Sequence, residues 1–149
     1  MIPLRAYIEG IGVIGPGLAG WPQAADVLMR RAPDGGWILE LNPETMPRVL
    51  VNQGFYARIA PAAPRPDRAF LSEQLQSANW LVKSLQQRAQ TILKVASAIV
   101  TRQESFFREG IVGLRPLILR EIADEVEMHE STISRVTANK YIATPRGVF

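Results

Sequence analysis

The chain has 149 residues, 47% of them hydrophobic, with no cysteine and a net charge of +3. That size and apolar content allow one domain, or two small packing units, with a real core, and the missing thiols exclude a disulfide framework and thiolate chemistry. No apolar stretch approaches the roughly 20 residues that span a bilayer, and the start lacks the charged lead and long apolar core of a signal peptide, so a soluble, cytoplasmic chain with no membrane partner is expected. The charge splits almost evenly, seven bases and six acids to Phe70 and ten bases and eight acids beyond it, which does not by itself demand a nucleic-acid partner.

Residues Met1 to Gly20 hold five glycines and two prolines, which favours loops and turns. Gly10-Ile11-Gly12-Val13-Ile14-Gly15 matches the dinucleotide-binding spacing G-x-G-x-x-G, and a nucleotide-dependent enzyme would rest on that motif alone. The context defeats it, because Pro16-Gly17 and Gly20 follow at once where a helix must open to hold pyrophosphate. Val27 to Arg31 and Trp37 to Leu41, joined through Asp34-Gly35-Gly36, read as a β-hairpin, with Asn42-Pro43 ending the second strand. Arg48 to Asn52 reads as a third extended piece, and Gln53 to Ala57 as either strand or a first helical turn. Three prolines between Pro61 and Pro66 make a stiff connector.

Beyond the prolines the pattern changes. Leu71, Leu75, Ala78, Val82, Leu85, Ala89, Ile92, Ala96 and Ile99 recur at steps of four and three without a proline or glycine between them. The spacing predicts one helix from about Ser72 to Phe107, roughly 50 Å long. Such a helix must pack on more than one element, and Gly110 and Gly113 stop it. Lys83, Arg88, Lys94, Arg102 and Arg108 lie along it, and such bases are either merely solvated or face nucleic acid or an acidic subunit surface.

The last third carries a helix-turn-helix pattern. Ile118, Ile122, Ala123 and Val126 make one apolar helical face, Pro116 suits the opening, Glu127-Met128-His129 forms the break, and Ile133 with Val136 can pack inward from a second helix. That leaves Ser131, Thr132, Ser134, Arg135 and Asn139 facing out, with Lys140 just beyond, as the candidate DNA- or partner-contacting residues. Their hydroxyl, guanidinium, amide and ammonium groups are those that meet base edges and phosphates in a major groove. Charge argues the other way: Pro116 to Ser134 holds five acids and one base, so the unit is polarised rather than basic. The residues leave open whether it touches DNA or protein. The one histidine, His129, reads as a turn or capping residue, since adjacent Glu130 and Ser131 cannot face it as a catalytic set must. With one histidine and no cysteine, no zinc site is expected, and no cofactor or catalytic residue is assigned.

These residues resemble a known family. Ile122-Ala123-Asp124-Glu125-Val126, His129-Glu130-Ser131-Thr132-Ile133-Ser134-Arg135, Asn139-Lys140-Tyr141 and Thr144-Pro145-Arg146-Gly147-Val148-Phe149 are similar to the first signature of the bacterial sigma-54 (nitrogen-regulation class) sigma factors, in order and in spacing. The resemblance continues upstream through Trp80, Leu81, Lys83, Ser84, Leu85, Arg88, Thr91, Val95, Ile99, Gln103 and Phe106-Phe107, and through Glu40-Leu41-Asn42-Pro43 with Val51-Asn52, so it covers roughly Gly36 to Phe149. It implies the core-binding domain of such a factor, a non-enzymatic transcription initiation module that binds core RNA polymerase and helps position it at promoter DNA. ATP-dependent activator proteins are implied only indirectly, through the full-length factor. The family's Gln- and Leu-rich activator-responsive region and its second DNA-binding signature, resembling ARRTVAKYR, have no counterpart in the sequence, so the chain is expected to be a fragment. The alternative reading is a stand-alone helix-turn-helix repressor, dimeric through Leu71 to Ile99. The expected fold is mainly α: a long helix and a C-terminal helix-turn-helix-like unit with a small N-terminal β-hairpin, divided at 1–66, 67–113 and 114–149.

Overall fold

The computed structural model describes residues 25–46 and 49–149. The glycine-rich start and its G-x-G-x-x-G motif lie outside them. The fold is mainly α, with a long helix, a helix-turn-helix and a small hairpin, as the pattern predicts. The chain divides into two compact units, Met1–Met46 with Gln90–Phe149, and Pro47–Ala89.

In the first unit, β1 (Val27–Arg31) and β2 (Trp37–Leu41) pair antiparallel, Val27 opposite Leu41 and Arg31 opposite Trp37. Their connection turns at Gly35, whose φ of 87° is open to glycine without strain, and the Asp34 carboxylate accepts the Gly36 N–H at 3.0 Å. Buried Asn42 fixes the exit of β2 by donating to the Ala25 carbonyl at 2.8 Å and accepting from the Glu44 N–H at 3.0 Å. Two further strands near the end of the chain, β3 (Ile142–Thr144) and β4 (Gly147–Val148), complete a sheet of order β2-β1-β3-β4, in which β1 and β3 run parallel.

The long helix, α2 (Arg65–Arg102), differs from the sequence reading at both ends. It starts seven residues before Ser72, taking in the last proline of the expected connector, because the first helical turn has no internal partner for its N–H groups and Pro66 sacrifices nothing there. It stops before Phe107, because Gln103 leaves helical geometry (φ −100°, ψ 18°) and a separate helix, α3 (Glu104–Glu109), begins. The Gln103 side chain, buried, instead clasps the backbone of Arg115: its Nε2 donates to the carbonyl at 2.6 Å and its Oε1 accepts the N–H at 3.1 Å. A short 3-10 turn (Ile111–Gly113) follows Gly110, and a Cβ at Gly113 would lie 2.4 Å from the Ser105 carbonyl oxygen, which only glycine avoids. α4 (Leu119–Val126) and α5 (Glu130–Thr137) close the unit.

The C-terminal part of α2 serves two cores. Val95 and Ala98 join Leu117, Ile122, Ala123, Val126 and Ile133 beneath the helix-turn-helix, while Val100 joins Met29, Phe106 and Phe107 under the sheet. In the second core Phe106 meets Phe107 and Phe149 edge-on at 5.1 and 5.3 Å, and Trp37 meets Phe107 at 5.9 Å. Arg146 spans from the strand end to α3, its guanidinium donating to the Phe107 carbonyl at 2.7 Å and the Arg108 carbonyl at 2.6 Å.

The second unit holds α1 (Gln53–Ile59), which resolves Gln53 to Ala57 as helix, and the start of α2. Asn52 caps α1 by accepting the Phe55 N–H at 2.8 Å. Residues 49–52 pair in no strand. The Arg68 guanidinium ties the intervening turn to the helix through the Ala63 and Pro61 carbonyls, at 2.8 and 2.6 Å. Along this stretch the stripe residues Leu71, Leu75, Ala78, Val82, Leu85 and Ala89 are only half-buried, and no described residue of the unit is buried.

Substituting Gln103→Ala strands the N–H and carbonyl of Arg115 in a part-buried place. The expected result is a loss of about 1–3 kcal/mol of unfolding free energy, read as a lower urea midpoint at unchanged slope.

Candidate nucleic-acid interface

Leu117, Ile122, Ala123 and Val126 bury the inner face of α4. Ile118, expected on that face, is instead the extended N-cap residue and 55% exposed, and Leu117 takes the inward place one residue earlier. The helix ends through Glu127, whose φ of 56° is left-handed, and the Met128 N–H returns to the Ala123 carbonyl at 2.9 Å. Lys94 of α2 donates to the Val126 carbonyl at 2.8 Å, placing an ammonium at the negative end of the α4 dipole. His129 is the N-cap of α5: its Nδ1 accepts the Ser131 N–H at 3.2 Å and lies 2.7 Å from the Ser131 hydroxyl. The histidine is a capping residue, as its position in the sequence suggested.

From that cap α5 runs eight residues, with Ile133 wholly buried and Val136 half-buried against the same core. Ser131, Thr132, Ser134 and Arg135 are exposed. Asn139 is also exposed, yet it does not sit on the helix as expected: α5 stops at Thr137, whose hydroxyl bonds back to the Ile133 carbonyl at 2.9 Å, and Asn139 occupies a left-handed turn (φ 54°). Lys140 is half-buried and paired with Asp26 at 3.3 Å. The structure therefore gathers four of the six candidates on α5 and draws Lys140 toward the sheet.

Two of the five acids that counted against DNA, Glu121 and Glu125, have a partner behind the unit. Arg102 of α2 bonds the Glu125 carboxylate at 2.7 Å and lies 3.7 Å from that of Glu121. The bond to Glu125 raises the already high pKa of Arg102, with burial opposing and the charges of Glu125 and Glu121 assisting. Lys94, Arg102 and Arg108, which pairs with Glu104 at 2.6 Å, thus each have a partner within the chain, although all five bases, with Lys83 and Arg88, are exposed. Sequence periodicity marks Lys94 and Arg102 only as bases off an apolar stripe. Nothing local signals partners more than twenty residues away. Among the described residues no group of three or more His, Cys, Asp or Glu side chains could hold a metal, and no helix is long and apolar enough to cross a membrane.

The protein family described as "Sigma-54, DNA binding domain" matches residues 68–149, which covers nearly all of α2 and the whole helix-turn-helix. The chain belongs to the sigma-54 family. It is 59% identical, over 83% of its length, to an RNA polymerase sigma-54 factor of Sinorhizobium fredii, and 59% identical over 85% to one of Azorhizobium caulinodans. A sigma-54 factor of Caulobacter vibrioides is 56% identical over 83%. The chain spans about a quarter of the length of these curated relatives, 24%, 25% and 25% respectively. Family membership agrees with the resemblance carried by the HESTISR and TPRGVF blocks.

The buried and open sides of α5 are expected to separate cleanly in thermal melts. Ile133→Ala should cost about 2–5 kcal/mol, because its cavity opens between helices that cannot collapse, whereas Arg135→Ala on the open face should stay within about 0.5 kcal/mol of the parent.

Proposed function

We propose that this chain is the part of a sigma-54 type transcription initiation factor that binds core RNA polymerase and helps position it at promoter DNA. It acts without catalysis: the long helix and hairpin tether it to the polymerase, and α5 meets the promoter. The observation that carries the DNA contact is the arrangement of charge around α4 and α5. Glu121 and Glu125 face the Arg102 guanidinium, and the exposed row of Ser131, Thr132, Ser134 and Arg135 stands clear on the next helix. A helix of a helix-turn-helix unit enters a major groove with such groups toward base edges and phosphates. Asn139 extends that surface past the helix end. Lys140 contributes charge only by sharing it with Asp26, so its part is smaller than that of Arg135. In the full-length factor, ATP-dependent activators act on the complex so formed.

Arg135→Ala in the full-length factor is expected to weaken promoter binding and to lower the slope of log affinity against log salt by about one, the signature of a lost phosphate contact. Anisotropy of a labelled promoter duplex over a salt series reads both, and an unchanged affinity and slope would remove α5 from the DNA. For the polymerase contact, labelled chain titrated with purified bacterial core enzyme is expected to bind saturably and to survive moderate salt. Absence of binding by a chain that melts cooperatively would refute core docking.

A further inference from the structure

Within the first unit a partly open cavity of about 160 Å³ lies between the C-terminal part of α2, the end of α5 and the paired strands β1 and β3. Ile92, Ile99, Phe106, Leu114, Val136 and Ile142 form its wall, where the helix-turn-helix core meets the aromatic core. Of the polar side chains that reach it, Gln103 is bonded to the Arg115 backbone, the Thr137 hydroxyl to the Ile133 carbonyl and Lys140 to Asp26, and Tyr141 is 50% exposed. These bonds decide the chemistry of an occupant. A charged or strongly polar guest would surrender its hydration for a wall with little to offer in return, which costs several kcal/mol. A dry apolar cavity of about 150 Å³ is known to accept benzene or xenon.

We propose that this cavity is a binding site for a small, neutral, apolar ring of about benzene size. Its walls belong to the elements that seat α5 on α2, so a guest adds contacts to both sides at once. It does so without touching the exposed row from Ser131 to Arg135. Occupancy therefore stabilises the seated helix-turn-helix rather than competing with its outer face.

The probe is benzene, added to the chain in a sealed thermal melt, with methyl NMR as a second readout. At a concentration about tenfold above its Kd, benzene is expected to raise Tm by roughly 3–6 °C. It should also move the methyl resonances of Ile92, Ile99 and Val136 while leaving those of Val49 and Leu50 unmoved. Ala96 lines the cavity as well, so Ala96→Leu fills it with a good helix former and is expected to abolish the Tm response. No rise and no methyl shift in the parent would overturn the proposal, as would shifts confined to other methyls or an undiminished response in a folded Ala96→Leu chain. Should that variant not fold, the pattern of methyl shifts in the parent decides alone. None of these readouts depends on DNA or polymerase, so the site stands or falls separately from the proposed function.

Discussion

Asp26 holds together two stretches of chain 115 residues apart. Its carboxylate accepts the Tyr141 N–H at 3.1 Å and pairs with Lys140 at 3.3 Å, while its own N–H and that of Val27 reach the Tyr141 carbonyl at 2.9 and 3.2 Å. Closing a loop of that length costs about 4 kcal/mol in chain entropy. A partly exposed ion pair returns only about 0–1 kcal/mol, and each backbone bond about 1. The polar contacts therefore set the register, Val27 beside Ile142 and Leu28 beside Ala143, and apolar burial behind them supplies the energy. That burial is available because β1 sends Val27 and Met29 inward, Met29 onto Phe106 and Phe107, the rings that Phe149 covers from the far end of the chain. The pairing of β1 with β3, the aromatic core and the exit of α5 are thus one constraint.

What the sequence made legible follows the strength of its local signals. The long stripe, the Asp-Gly hairpin and the two short helices around Glu127 to His129 all rest on periodicity or turn chemistry within a dozen residues, and each is present. Strands β3 and β4 were not legible, because three and two residues are too few to show alternation and their pairing with β1 and with each other is a tertiary event. The helix boundaries failed for opposite reasons. Proline was read as a stop at Pro66, where it is tolerated, and Gln103 was read as helical because nothing local reveals that its amide has a better partner in Arg115. In TPRGVF, specific as a signature, the sequence does not disclose that Arg146 caps the end of α3 through two carbonyls.

Charge shows where composition misleads. Pro47–Ala89 carries six bases against two acids, which leaves eleven against twelve for the unit that holds the helix-turn-helix. Counted as net charge, that unit has no claim on a polyanion. Counted by position, Arg102 takes up Glu121 and Glu125, Asp26 takes up Lys140, and Arg135 remains exposed on α5. Non-specific attraction to phosphates scales with contacts made, so a surface with few free bases relies on fit and on base-edge hydrogen bonds for whatever affinity it has.

The helix-turn-helix does not own the core it stands on. Ile122 and Ile133 are fully buried only because Val95 and Ala98 of α2 complete their surroundings. The turn between α4 and α5 is also unfavourable in isolation. Glu127 takes a left-handed conformation that costs a non-glycine residue about 1–2 kcal/mol, and the exposed carbonyls of α4 need a partner. α2 supplies both remedies, an apolar floor that receives Met128 and an ammonium, Lys94, on the Val126 carbonyl. The orientation of α5 is therefore set from behind, by a helix packed on its buried residue Ile133, while Ser131 and Arg135 are exposed. A change in the Val95 to Arg102 stretch alters how the outer face is held without altering any residue on it, so lost function there is distinguishable from lost contact only when stability and binding are measured on the same variant.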